Sequence, residues 1–149
     1  MSGEGVAAAA DRLRLRELIE EFEQSPAPGG FHHVDHVRMA FAYVTCYPIL
    51  EAVAKFTAAL KRFAAAQGKP RLYHETITWA YLLLIHERVG RGGREQTWEE
   101  FARDHSDLLV WKGGILSTLY CQETLDSELA RGIFVLPDRG ANARSQVTP

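Results

Sequence analysis

Two short segments hold most of the side chains that could carry chemistry. They are His32-His33-Val34-Asp35-His36 and His74-Glu75. Neutral imidazoles from one helix and a carboxylate from another supply the two-histidine, one-carboxylate set that binds zinc or non-haem iron and leaves coordination positions open. A metal with an open position would activate water or dioxygen. One hypothesis is therefore a divalent metal, Zn, Fe or Mn, held by His32, His33, His36, His74 and Glu75.

A purely structural use of the same residues is a second interpretation. Asp35 would cap the helix that follows it, and Glu75 would pair with Arg38 or Arg71. The histidines would donate hydrogen bonds to nearby carbonyl or tyrosine oxygens, as buried polar groups in proteins do. The polar cluster would then stabilise the fold and bind nothing.

A pocket for an anion or small molecule is a third interpretation. Two helix N-termini directed at one point favour negative charge, because their unpaired N–H groups carry partial positive charge. Arg38 or His36 would complete such a site. The residues predicted to bind a ligand in this way are Arg38 and Tyr43.

The two polar segments can meet only if the helices that carry them are neighbours. Hydrophobic periodicity predicts one helix over about residues 33–46, a second from residue 49 to a stop at Gly68, and a third over about residues 73–89. If the three run up, down and up, as short connections favour, the first and third are parallel. Their N-termini, and with them the two polar segments, then lie at the same end of a bundle.

A further helix is predicted ahead of these three. Asp11 can cap it, its apolar positions recur with helical spacing, and the Pro- and Gly-rich residues 25–30 end it. Residues 1–10 and 140–149 carry no apolar period, so we expect both ends of the chain to fray.

The last third of the chain predicts shorter elements. Thr97 opens a capping box and with it a short helix. Apolar residues over 108–120 predict another helix, which Gly113-Gly114 should kink or break, because glycine costs about 1 kcal/mol against alanine in a helix. One helical turn over 126–131 follows, and then an extended apolar strip over 133–136 that should pack over the bundle.

The length and composition support one domain with a real core. The chain has 149 residues, of which 46% are hydrophobic and 24% charged, the balance of an ordinary globular protein. We therefore expect a single domain over 1–149 with an ordered part over about 11–139. The expected fold is all-α, a compact antiparallel bundle of about five to six helices with an extended C-terminal strip.

Several classes of partner are disfavoured. The formal net charge of −2 gives no basic footprint for nucleic acid. The longest strongly apolar run, residues 77–85, is far shorter than the roughly 18 to 20 residues that span a membrane. No secretory signal is recognisable at the N-terminus, and the two cysteines lie far apart, so we expect a cytoplasmic protein.

An interaction module without a metal is the competing functional class. In it, the amphipathic first helix or an exposed region around Trp98 and Trp111 would supply a partner surface. The sequence leaves homo-oligomerisation open.

Three blocks of the sequence resemble a family of short, uncharacterised bacterial proteins. The blocks are FHHVDHVR over 31–38, YHETITWAY over 73–81 and FVLPDR over 134–139. The resemblance covers most of residues 31–139 and is marked by the patterns FHHxDHVR and YHETITWAY. It implies a compact all-helical protein of bacterial origin, and it implies no activity, cofactor or catalytic residue.

Overall fold

The computed structural model describes residues 3–24, 31–92 and 95–139, and the fold of this part is all-α, as expected. Four long helices form the bundle: α1 (Gly3–Gln24), α2 (His33–Cys46), α3 (Ile49–Ala66) and α4 (Glu75–Gly92). Four short helices follow: α5 (Trp98–Asp104), α6 (Leu116–Leu119), α7 (Gln122–Leu125) and α8 (Glu128–Gly132). Short 3₁₀ helices occupy Pro70–Leu72 and Ser106–Leu109. None of the described helices combines the length and the apolar character needed to cross a membrane.

Helix α1 begins earlier than the sequence predicted. It starts at Gly3. Alanine has the highest helix propensity of any residue type, so the alanine run over 7–10 favours this extension, and Ala8 is buried against the bundle. Asp11 is therefore an interior residue of α1 and not its cap. Its buried carboxylate instead accepts a hydrogen bond from the backbone N–H of Trp98 at 2.9 Å, at the start of α5.

Expectations for three stretches of the chain lie partly or wholly outside the described residues. The predicted helix stop at 25–30 and the predicted fraying of 140–149 fall there entirely. Of the N-terminal stretch 1–10, residues 3–10 are helical and belong to α1.

Helices α2, α3 and α4 have nearly the bounds that periodicity predicted. Tyr47 and Pro48 alone connect α2 to α3, so these two helices pack side by side in opposite directions. Gly68 follows the end of α3 with φ +72°, a left-handed conformation that only glycine adopts without strain, which confirms the predicted stop. Helix α2 packs against α1, α3 and α4, and so it occupies the middle of the bundle.

The predicted helix over residues 108–120 is broken. Gly113 adopts φ +65°, and a Cβ built on Gly114 would lie 2.1 Å from the carbonyl oxygen of Val110. Both glycines are therefore required by a tight turn between the 3₁₀ helix Ser106–Leu109 and α6. The interruption leaves a 3₁₀ helix and the short α6, and the described part contains eight α-helical segments instead of five to six because the short helices α7 and α8 follow.

The capping box and the C-terminal strip form as expected. The backbone N–H of Glu100 donates to the Thr97 hydroxyl at 3.2 Å, and α5 begins there. Thr76 on α4 holds the strip by donating to the carbonyl of Ile133 at 2.8 Å and accepting from the N–H of Val135 at 3.1 Å. Phe134 stacks on a tryptophan of α4. The end of the described chain is thereby fixed across the bundle.

Candidate ligand-binding cavity

His33 lies in the first turn of α2 and borders a cavity. Its Nε2–H donates to the carbonyl oxygen of Leu108 at 2.8 Å, which ties α2 to the 3₁₀ helix. Its ring lies 5.1 Å, centroid to centroid, from the rings of both Tyr81 and Trp111. One ring nitrogen is thus committed to the backbone, and the ring forms part of an aromatic wall.

His36 lies one turn further along α2 and borders the same cavity. Its ring centroid is 4.2 Å from that of Phe31, and neither ring nitrogen has a hydrogen-bond partner among the described residues. Burial, followed by the nearby imidazole of His33, lowers the pKa of His36 to about 4. His36 is therefore a neutral imidazole at physiological pH, with one donor and one acceptor unused.

His74 stands just before α4, and its two nitrogens are both engaged. Nε2–H donates to the carbonyl of Leu125 at 2.7 Å, and Nδ1 accepts from the backbone N–H of Ile77 at 3.1 Å. Burial lowers the pKa of His74. His74 thus caps α4 as a neutral ring and joins it to α7, which is a structural role of the kind predicted by the second interpretation.

Glu75 contacts different partners from those predicted. Its carboxylate accepts hydrogen bonds from the hydroxyl of Tyr73 and from the indole N–H of Trp79, the latter at 3.1 Å, instead of pairing with an arginine. Burial raises the pKa of Tyr73 well above its usual range, and the hydrogen bond to Glu75 adds to the shift. Tyr73 borders the cavity, whereas Glu75 lies behind it and does not.

The five predicted metal ligands are not assembled into one coordination set. His32 is exposed, while His33 and His74 already donate to backbone carbonyls. In the part of the chain that the structure describes, no group of three or more His, Cys, Asp or Glu side chains could hold a metal ion. A site of the predicted kind would require these hydrogen bonds to break, so the geometry adds no support to the zinc, iron or manganese hypothesis.

The two residues predicted to bind a ligand lie away from the cavity. Tyr43 is buried, and its hydroxyl donates to the carboxylate of Glu23 on α1 at 2.8 Å. Arg38 does not border the cavity either, and its Nε is buried without a hydrogen-bond partner in the described structure. Their positions in the sequence do not show which face of α2 each neighbouring helix covers.

The cavity itself has a volume of about 620 Å³ and lies between the N-terminal halves of α2 and α4 and the C-terminal half of α3. Most of its wall is aromatic and aliphatic: Phe31, Phe56, Leu60, Phe63, Ile77 and Tyr81. Two small residues, Ala40 on α2 and Ala64 on α3, also line it. One side opens to solvent, where the exposed residues Leu72 and Trp111 line it.

The rim of the cavity is basic. Lys69, Arg71 and Arg131 line it, and no Asp or Glu of the described chain does. The sequence did not indicate that these three cations line one site, and Arg71 was expected only as a possible partner of Glu75. Lys69 and Arg71 could have been found, because they immediately precede the His74 segment, whereas Arg131 is brought from α8 by tertiary packing alone.

The tryptophans proposed for a partner surface differ in their exposure. Trp98 is buried against Phe41, with ring centroids 5.6 Å apart, so its predicted exposure is wrong. Trp111 is 53% exposed, but it borders the mouth of the cavity. Its ring therefore belongs both to the surface and to the wall of the cavity mouth.

Comparison with known proteins adds no relative to this description. No protein-family profile, curated protein or solved structure matches the chain. The resemblance carried by FHHxDHVR and YHETITWAY therefore stays a prediction.

Proposed function

We propose that this protein binds a small, largely apolar molecule in the cavity between α2, α3 and α4. The observation that carries the proposal is an apolar-walled cavity of about 620 Å³ bordered by both polar segments of the sequence. Sites for small molecules and cofactors are typically concave, about 300 to 1,000 Å³ in volume, and apolar with a few placed polar groups. The cavity has each of these properties.

The residues around the cavity favour a ligand-binding site over a mere packing defect. Ala40 and Ala64 leave the space that larger side chains would fill, although neighbouring positions on the same helices carry phenylalanine. Apolar walls facing a void lose the dispersion contacts that a close-packed core provides. An apolar ligand would restore those contacts, and so it would gain affinity from walls that are already in place.

Two polar groups would orient the ligand. The imidazole of His36 and the hydroxyl of Tyr81 both border the cavity and have no hydrogen-bond partner among the described residues. Burial raises the pKa of Tyr81 to about 12, so its hydroxyl keeps its proton. A hydroxyl or carbonyl on the ligand could hydrogen bond to either group, which gives selectivity to a site that is otherwise apolar.

A binding assay with an uncharged fluorescent probe tests the proposal. N-phenyl-1-naphthylamine fluoresces strongly only in apolar surroundings, and we expect saturable binding to one site per chain. Ala64→Phe should fill the cavity and weaken binding about tenfold or more, whereas Ala58→Phe, on an exposed position of the same helix, should not. No saturable signal, or equal binding by both variants, would contradict the proposal.

A second pair of variants guards against a folding defect. Ile77→Trp narrows the cavity from a position that is only partly buried, and Leu83→Trp adds the same group on the exposed face of α4. Melting temperatures of all four variants would verify that they fold. We expect reduced probe binding for Ile77→Trp alone.

A further inference from the structure

The side chains that carry a full charge at the cavity are all basic, and their sign indicates which class of ligand the cavity would bind. Three basic side chains line its rim, and the described chain contributes no carboxylate to its wall. The chain as a whole has a formal net charge of −2, so this local excess of cations is opposite in sign to the protein. Clustered positive charges repel one another, and an anion bound between them relieves that repulsion.

Among the three rim cations, Arg131 is held in place by hydrogen bonds to the backbone. From α8 its guanidinium donates to the backbone carbonyls of Arg71 and Tyr73, which fixes its position. Its Nε is buried and has no hydrogen-bond partner in the described structure. The remaining terminal N–H groups of a guanidinium that is fixed at the rim in this way can donate charge-assisted hydrogen bonds to an oxyanion in the cavity.

The other two rim cations differ in their availability. Arg71 is already paired with the carboxylate of Glu128. Lys69 is exposed and forms no salt bridge within the described residues, so its ammonium can turn towards the cavity mouth. Neither Arg131 nor Lys69 forms a salt bridge in the described part of the chain, although the carboxylate of Glu128 acts on Arg131 from a longer distance.

We infer, resting on the proposed function, that the ligand is an amphipathic monoacid, with its apolar body in the cavity and its carboxylate bound by Arg131 and Lys69 at the rim. His36 stays neutral in this arrangement and contacts the apolar body or an uncharged polar atom of the ligand. The rim recognises the carboxylate by its charge, and the cavity recognises the apolar body by its volume. The shape of the cavity then selects the carbon skeleton.

Three eight-carbon probes that differ only in their head group test the inference. Octanoate, 1-octanol and octylamine are compared by titration calorimetry with the full chain at neutral pH. We expect octanoate to bind about tenfold or more tightly than 1-octanol, as a charge-assisted hydrogen bond allows, and octylamine to bind weakest. The preference for octanoate should shrink as salt is added, because the rim is open to solvent.

Variants of the rim locate the head group. Arg131→Gln should remove most of the preference of octanoate over 1-octanol, measured as the ratio of the two affinities so that a general effect on the cavity cancels. Lys69→Gln, on an exposed side chain that cannot disturb the core, should reduce the same preference by a smaller factor. Arg103→Gln, an exposed arginine of α5 that does not border the cavity, serves as the control and should behave as wild type.

The outcomes separate this inference from the proposed function. If 1-octanol and octanoate bind equally, or octylamine binds best, the acid preference is wrong and the apolar cavity site stands. If octanoate is preferred but neither Arg131→Gln nor Lys69→Gln changes that preference, the assignment of the head group to the rim is wrong. If no probe binds, the proposed function fails and this inference fails with it.

Discussion

The two halves of α2 face very different surroundings. Its C-terminal half packs into a closed aromatic layer in which Phe41, Trp98 and Phe101 contact one another and are each at least 92% buried. Its N-terminal half borders the cavity through His33, His36 and Val37. The same helix thus contributes to a close-packed core and to the wall of an open cavity.

The polar groups of the two regions differ in the same way. In the aromatic layer, the buried carboxylate of Asp11 is bonded to the backbone of Trp98. Around the cavity, His36 and the Nε of Arg131 have no partner in the described part of the chain. Because His36 borders the cavity and both of its ring nitrogens are unpaired, this region keeps polar atoms available to another molecule, whereas the carboxylate of Asp11 is already bonded.

Truncating the aromatic layer should have the largest effect. Phe101→Ala removes a ring that is 1% exposed, and we expect the free energy of unfolding to fall by about 3–5 kcal/mol. Phe63→Ala, on the cavity wall, should cost at least about 1 kcal/mol less, because solvent can enter the space it leaves. Chemical denaturation of both variants measures the difference. Equal losses would show that the cavity wall is packed as tightly as the core.

Replacing an alanine by leucine should destabilise the close-packed core more than the cavity wall. Ala52 on α3 is fully buried and does not border the cavity, so Ala52→Leu should destabilise by about 1–3 kcal/mol through overpacking. Ala64→Leu on the same helix places its added methyl groups in the cavity and should change stability by less than about 1 kcal/mol. Urea unfolding midpoints test this, and a large loss for Ala64→Leu would contradict the cavity.

Acid should weaken the cavity region through His36. Its pKa of about 4 in the folded protein lies below the unfolded value of 6.5, so the unfolded chain binds more protons between these values. Stability is therefore fully retained above pH 6.5 and is lost as the pH falls towards 4. We expect a loss of about 2 kcal/mol from this residue by pH 4.5.

A non-titrating ring isolates that effect. His36→Phe should lose less stability than wild type between pH 7 and pH 4.5, with the difference measured by urea denaturation at each pH. His32→Phe, at an exposed neighbour, should follow wild type. Identical acid sensitivity in wild type and His36→Phe would mean that the imidazole is not buried in the cavity.

The sequence predicted those features that local chemistry decides. Helix periodicity gave the bounds of α2, the capping box placed Thr97, and the need for a left-handed residue placed Gly68. The short connections between α2, α3 and α4 also predicted that the segment with His33 and His36 lies beside the one with His74, and all three histidines border one cavity.

Features that depend on which faces meet could not be predicted. Glu75 is bonded to Tyr73 and Trp79 on its own side of α4, although an arginine partner was expected. Asp11 looked like a local cap, yet it caps a helix 87 positions away in the chain. Arg131 reaches the rim only because α8 packs on α4. A single sequence carries no signal for such long-range contacts.

Backbone amide chemical shifts recorded during titration with 1-octanol test the central claim most directly. If the cavity is the binding site, the amides that shift and saturate together should lie along residues 33–40 and 74–81, with those around Phe101 unchanged. The result that would contradict it is a set of shifts confined to exposed apolar positions such as Leu129 and Leu136, or shifts that grow without saturation.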